Sequence, residues 1–216
     1  MRGQRFDLSL YLVLGAGDTG GRDPVAVARA AVAGGVGVVQ LREKAASTRE
    51  QVVRARALKA ALAPLGVPLL INDRVDVALA AGADGVHLGQ DDMAPEDARR
   101  LLGPGAILGL SVGDAAEART ADPALVDYVG IGPAFATGTK ADAGAAIGPA
   151  GVAALRRQVG LPGVAIGGID AANAGALGAC GIEGVAVVSA VAGAADPAAA
   201  ARRLRAAFAA GADGAA

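Results

Sequence analysis

One cysteine, Cys180, and one histidine, His87, are all the thiol and imidazole that this 216-residue chain holds, and tryptophan is absent. A single cysteine cannot close an intrachain disulfide, and a cysteine-rich metal site is excluded with it. The surrounding sequence, 177–181, reads as a helix end, so an inert buried thiol is expected. His87 lies in an apolar segment, where a hydrogen-bonded core imidazole competes with a role beside substrate. Aromatic residues make up 2% of the chain, too few for a stacking platform that would hold nucleic-acid bases. A formal net charge of -1 with no basic block removes the electrostatic footprint of a DNA or RNA binder. Long apolar runs are missing too: the longest uncharged stretches, such as 143–155, are broken by glycine and proline and fall short of a membrane span. Arg2 and Arg5 ahead of residues 8–14 have the outline of a signal peptide, but Asp7 interrupts the approach and the apolar stretch is short, so a first strand is expected there. A soluble, cytoplasmic chain with small-molecule partners, and no nucleic-acid or membrane partner, is the expectation.

What is abundant is aliphatic. Hydrophobic residues reach 53%, and the core has to be built from Val, Ile, Leu and Ala. A phrase recurs: Ala33-Gly34-Gly35-Val36-Gly37-Val38-Val39, Ala81-Gly82-Ala83-Asp84-Gly85-Val86-His87 and Ala179-Cys180-Gly181-Ile182-Glu183-Gly184-Val185 each pass from an Ala-rich helix through glycine into a β-branched run. Glycine takes the left-handed conformation of a helix C-cap without a Cβ penalty, so each phrase marks a helix-to-strand junction. Apolar runs predict strands at 9–14, 36–41, 68–71, 85–88, 107–111, 128–131, 164–166 and 185–188. Helices are predicted at 24–33, 48–63, 75–81, 95–102, 115–120, 149–158, 171–179 and 197–209. Eight alternating units over this length predict an α/β fold, a single (β/α)8 TIM barrel of residues 1–210 followed by a frayed tail at 211–216. An open doubly wound sheet is the runner-up.

In a barrel of this kind the C-terminal strand ends carry the chemistry, and the polar motifs of this chain fall there. Asn72-Asp73 and Gly89-Gln90-Asp91-Asp92 place carboxylates and amides at two adjacent strand ends. Such oxygens suit Mg²⁺, which takes one or two carboxylates while phosphates and water complete its octahedron. Positive charge follows other strands, in Gln40-Leu41-Arg42-Glu43-Lys44 and Thr137-Gly138-Thr139-Lys140. Together these predict a magnesium-diphosphate site. Gly167-Gly168-Ile169 and Val188-Ser189, after the seventh and eighth strands, predict a second anion site, because loops there recurrently bind phosphate through backbone N–H groups. No Ser-His-Asp or Cys-His arrangement for a protein nucleophile stands out. Asp91 beside Asp92 reads as a solvated residue, a cap of the helix near Pro95, or a metal ligand, and Glu43 and Arg74 as surface ion-pair partners.

Gln40 to Lys44, Ile71-Asn72-Asp73-Arg74, His87 to Asp92, Gly130 to Lys140, Gly167-Gly168-Ile169 and Val188-Ser189, in that order, resemble the motif set of the thiamine phosphate synthase family, over a stretch from about Leu10 to the last helix. The resemblance implies coupling of 4-amino-2-methyl-5-hydroxymethylpyrimidine diphosphate to a hydroxyethylthiazole phosphate, or its carboxylated form, with release of diphosphate. It implies Asp73 and Asp92 as Mg²⁺ ligands and Arg42, Lys44 and Lys140 as the catalytic cations. Gln40, Asn72 and Ser111 would join those cations around the pyrimidine diphosphate, with His87 near the ring. Thr137, Thr139, Gly168, Val188 and Ser189 would hold the thiazole phosphate, and Leu41, Glu43, Gly138 and Gly167 complete the matched segments. The family barrel is commonly oligomeric, so a homo-oligomer is expected.

The chain departs from the family pattern in two places. Gly15-Ala16-Gly17 follows the first strand where a Thr-Asp pair is usual, and Ala136 stands where proline is usual before the Thr-x-Thr-Lys motif. Two other readings remain at this stage: a thiazole tautomerase on the same barrel, for which Pro133 occupies the loop position that would call for histidine, and a catalytically silent phosphate-ligand sensor, which would need neither Asp73 and Asp92 nor Lys44 and Lys140.

Overall fold

Eight short strands form in the order the apolar runs predict: β1 (Leu10–Leu14), β2 (Val38–Leu41), β3 (Leu69–Asn72), β4 (Gly85–Leu88), β5 (Ile107–Val112), β6 (Tyr128–Ile131), β7 (Gly163–Ile166) and β8 (Gly184–Val187). They come from a computed structural model that describes residues 6–138 and 144–214. Every neighbouring pair is parallel, and β1 pairs with β8 through Leu10 and Val185, which closes the barrel and removes the open-sheet alternative. The helices between them are α1 (Pro24–Ala33), α2 (Thr48–Leu62), α3 (Val75–Ala81), α4 (Pro95–Leu102), α5 (Ala115–Ala118), α6 (Gly148–Gln158), α7 (Gly175–Gly178), α8 (Ser189–Ala192) and α9 (Pro197–Asp213). Local signals start them. Asp23 accepts from Val25 N ahead of α1, and Ser47 with Glu50 forms the reciprocal capping box that opens α2.

Strand alternation divides the core in two. Tyr11, Val13, Val38, Leu70, Tyr128, Val164 and Ala186 fill the barrel interior, while Leu10, Leu12, Leu14, Val39, Leu41, Leu69 and Ile71 pack outward against the helices. Gly109 makes room inside, since a Cβ there would collide with the Tyr128 ring and stand against His87.

The N-terminal face is stapled by one device used three times. An acid just before an even-numbered strand takes an N–H at the start of the preceding strand and pairs with a cation from a helix. Asp84 accepts from Leu69 N and Lys59, Asp127 from Leu108 N and Arg99, and Glu183 from Gly163 N and Arg156. Arg99, 9% exposed, also donates to the carbonyls of Leu125, Gly103 and Ala106. Asp84 and Glu183 are the acids of the recurring phrase. In its first copy Gly37 stands in the acid's place, and Asp7 fills the role by accepting from Ser9 N and pairing with Arg205.

Many boundaries shift from expectation by one or two residues, and three differences have a local physical cause. α7 begins at Gly175 rather than 171, because Asp170 and Asn173 side chains bond Ala172 N and Asp170 N and hold that stretch in a turn. α9 continues through 211–213 instead of fraying, since Gly211 packs against the Gly175 backbone too closely for any Cβ. The eighth strand stops at Val187 and a short helix, α8, follows, which an apolar run cannot distinguish from strand.

Candidate active site

The C-terminal strand ends surround a cavity of about 1060 Å³. β2 brings Gln40, Arg42 and Lys44 to it, β3 Asn72 and Asp73, β4 His87 and Asp92, β5 Ser111, and the loops beyond β6, β7 and β8 bring Thr137, Gly138, Gly167, Gly168, Val188 and Ser189. Residues separated by the whole chain are thus placed around one space. Thr139 and Lys140 lie outside the described residues.

Two expected binding residues do not line it. Leu41 points away from Gln40 by strand alternation and is buried between barrel and helices. Glu43 turns to the first loop, where Oε1 accepts from Ala16 N at 2.8 Å and lies 2.7 Å from Arg54 Nη1. It holds the Gly15-Ala16-Gly17 loop and stands outside the cavity lining. Arg74 pairs with Asp76, as a surface cation would. Cys180 is buried, donates to Pro149 O, and has its thiol pushed up by burial.

The carboxylate corner fits a hard divalent cation. Asp73 adopts a left-handed backbone at φ 62°, costly for a residue with a Cβ, and its N–H donates to His87 O. Asp92 Oδ2 accepts from Gly89 N at 2.7 Å. The Asp92 carboxyl is pushed above its ordinary range, first by burial and then by its hydrogen bond with the Asp73 carboxyl, with a smaller opposing pull from Gly89 N. A hydrogen bond between two carboxyls needs a proton on one of them, and a bound cation would take that proton's place and let both ionise. Among the described residues no group of three or more His, Cys, Asp or Glu could hold a metal. Two protein oxygens, with water and phosphate completing the shell, is the manner of Mg²⁺. Asp91 lines the cavity on an exposed position, and the cap of α4 is Ala94, with no side-chain bond, so Asp91 does not cap that helix.

The floor is a chain of hydrogen bonds across the barrel. Gln40 Nε2 donates to Tyr11 Oη at 2.7 Å, Tyr11 Oη lies 2.9 Å from Tyr128 Oη, Tyr128 Oη 2.8 Å from His87 Nδ1, and His87 Nε2 3.0 Å from Ser111 Oγ. His87 is therefore both a bonded core imidazole and part of the cavity wall. Burial pushes both phenols well above their ordinary range. Sequence reading passed over Tyr11 and Tyr128. Their signal was scarcity: the chain has two tyrosines, and a tyrosine inside a barrel has to find a partner for its hydroxyl.

The opposite side is shaped by glycine. Gly168, at φ 61°, lets the loop after β7 close on the loop after β6, where a Cβ would collide with the Ala136 carbonyl. Asn173 Nδ2 fixes that turn by donating to Gly168 O at 2.8 Å. Val188 precedes α8, and the N–H groups of Ser189 and Ala190 begin a helix with no earlier turn to accept them, beside the cavity.

Comparison with known proteins agrees over most of the chain. The family model for thiamine monophosphate synthase matches residues 10–191. A thiamine-phosphate synthase of Xanthobacter autotrophicus is 58% identical over 168 residues, 78% of this chain and 80% of that protein. One of Azorhizobium caulinodans is 56% identical over 171 residues, 79% of this chain and 81% of that protein. The solved thiamine phosphate pyrophosphorylase of Pyrococcus furiosus superposes with a TM-score of 0.85 at 38% identity, covering 94% of this chain and 96% of that one.

Proposed function

This chain belongs to the thiamine monophosphate synthase family and is a transferase that forms thiamine phosphate, and from that premise we propose how the cavity divides the work. The hydroxymethylpyrimidine diphosphate lies toward β2 to β5, with its diphosphate over Arg42, Lys44 and Asn72 and its ring over Gln40, His87 and Ser111. The hydroxyethylthiazole phosphate, or its carboxylated form, lies toward Thr137, Gly138, Gly167, Gly168, Val188 and Ser189.

The reaction is a substitution at the pyrimidine methylene. The bond to the diphosphate oxygen breaks, the thiazole nitrogen supplies the electron pair of the new C–N bond, and diphosphate leaves. Arg42 and Lys44 offer fixed positive charge to the departing oxygens as charge develops there. Asp73 and Asp92 would hold Mg²⁺, which when bound neutralises part of the diphosphate charge. Lys140 belongs to this set on the family likeness alone. The aminopyrimidine stabilises the positive charge left on the methylene, so no protein nucleophile is needed and the substitution is dissociative. Cytoplasmic location and homo-oligomeric assembly form part of the proposal and also rest on the family likeness. Among the described residues no helix is long and apolar enough to cross a membrane.

The observation that carries this reading is the convergence of Asp73, Asp92, Arg42 and Lys44 on one side of a cavity whose other side is backbone glycine and a helix start. Neither a tautomerase nor a thiazole-phosphate sensor has use for the first set, and Pro133 lines the cavity where the tautomerase would need histidine. The test is a single-turnover assay with both substrates saturating, in the normal and an electron-poor pyrimidine. Magnesium-dependent thiamine phosphate formation, slowed steeply by the electron-poor ring, is expected. Equal rates for the two pyrimidines would mean direct displacement.

A further inference from the structure

The loop after β1 departs from the family pattern, and one side chain in it reaches across to the segment that follows the last strand. Arg22 Nε donates to Thr19 O at 2.8 Å, Nη2 to Ala192 O at 2.6 Å, and Nη1 to Ala194 O at 2.7 Å and, at 3.5 Å, to Ala195 O. Its own loop is locked from within. Fully buried Thr19 shares its one hydroxyl proton between Arg22 O at 2.7 Å and Ala16 O at 3.1 Å, and Glu43 holds Ala16 N. One guanidinium thus ties an anchored loop to carbonyls some 170 positions away.

Those carbonyls belong to the segment that begins with Val188, Ser189 and Ala190 at the cavity. From Ser189 to Ala195 its side chains are Ser, Ala, Val, Ala, Gly, Ala and Ala, none larger than valine. Val191 and Ala192 are buried in the core, and because side chains this small interlock with few neighbours, directional bonds to the backbone add to that packing in fixing where the segment stands. A planar guanidinium meets several carbonyls at once in fixed directions, which an ammonium cannot do, and its charge makes each bond stronger than a neutral one.

We propose that Arg22 is a positioning residue for the second anion site. By holding the carbonyls of Ala192 and Ala194 against the first loop, it sets where the Val188–Ala190 backbone stands toward the thiazole phosphate. The inference rests on the assignment of that phosphate to this segment. A displacement of about 1 Å at a substrate-positioning element is enough to cost a large factor in rate or affinity.

The experiment compares Arg22→Ala and Arg22→Lys with the unmodified chain in steady-state kinetics with both substrates varied, and by calorimetric binding of hydroxyethylthiazole phosphate alone. Arg22→Ala should raise KM and Kd for the thiazole phosphate by about tenfold or more, the equivalent of losing one charged hydrogen bond. KM for the pyrimidine diphosphate should change less than about twofold, because the diphosphate side makes no use of these carbonyls. Arg22→Lys should fall between, and carries the test by itself if the alanine variant does not fold. A merely structural role would lower the active fraction, or raise both KM values together, and either result overturns the proposal. If the unmodified chain binds no thiazole phosphate, the site assignment itself fails. Normal binding that is unchanged in Arg22→Ala removes only the positioning role.

Discussion

The Lys44 ammonium stands 2.6 Å from Asp73 Oδ2, at a cavity wall where the lysine side chain is 59% exposed and the aspartate 19%. So open a pair contributes about 0–1 kcal/mol, and little opposes its breaking when diphosphate arrives. Its interest lies in charge order. Lys44 already neutralises one carboxylate of a pair that would otherwise repel, and the pair and the lysine are the groups a metal and a diphosphate would share.

Asp73→Ala and Asp92→Ala should therefore each slow product formation by about a hundredfold or more, a few kcal/mol of transition-state stabilisation. Asp91→Ala, on an exposed position, should do much less. Single-turnover rates across a Mg²⁺ titration measure both effects, and thorough chelation should stop the unmodified enzyme. Full activity after chelation would sink the metal assignment, while equal losses at Asp91 and Asp92 would move a ligand from one to the other.

Negative charge placed at the start of α8 should be felt by one substrate. Ser189→Asp puts a carboxylate beside the thiazole phosphate in a partly desolvated space, where like charges repel strongly, and should raise that KM by about tenfold or more. The pyrimidine diphosphate KM should move less. A change confined to the pyrimidine substrate would show that the two sites are reversed.

The buried phenols make stability depend on pH from the alkaline side. Burial raises Tyr11 and Tyr128 above the ordinary value of 10.0 that they regain on unfolding. Above that pH the unfolded chain has released protons that the folded one keeps. Unfolding then becomes easier as pH rises, whereas the contribution is fully present below about pH 10. Two such groups give a slope of up to about 2.7 kcal/mol per pH unit. Urea unfolding at pH 8 and above pH 10 should show this loss, and it should be missing from the Tyr11→Phe/Tyr128→Phe double variant. At pH 8 that variant should itself be less stable by about 1–3 kcal/mol, because Gln40 and His87 lose their partners. Parallel alkaline loss in both proteins would assign the slope to other groups.

Local chemistry made much of this molecule legible in its sequence. Glycine after an Ala-rich helix and a β-branched run after the glycine are short-range signals, and they marked the strands closely, with β4 and β6 ending where expected. The order of units implied a barrel, the fold implied which strand ends meet, and the motifs there fell around one cavity. Asp84 and Glu183 stood in the recurring phrase itself, although their pairing with Lys59 and Arg156 could not be read from it.

What the sequence left open depends on orientation and on long-range meeting. Leu41 and Glu43 sit in the middle of a matched motif, yet one faces the helices and the other the first loop, because adjacency in a motif says nothing about which side of a strand or loop a side chain takes. Arg22 and Ala192 are 170 residues apart, and Tyr11 and Tyr128 are 117 apart. No local pattern links such pairs; closing β1 onto β8 brings the first, and the shared barrel interior the second, within hydrogen-bond reach. The α8 turn and the last residues of α9 likewise took their form from what they pack against. Composition and periodicity determined which elements form and in what order, whereas barrel closure decided which side chains meet, since burial then required each polar group inside to find a partner wherever the chain supplied one.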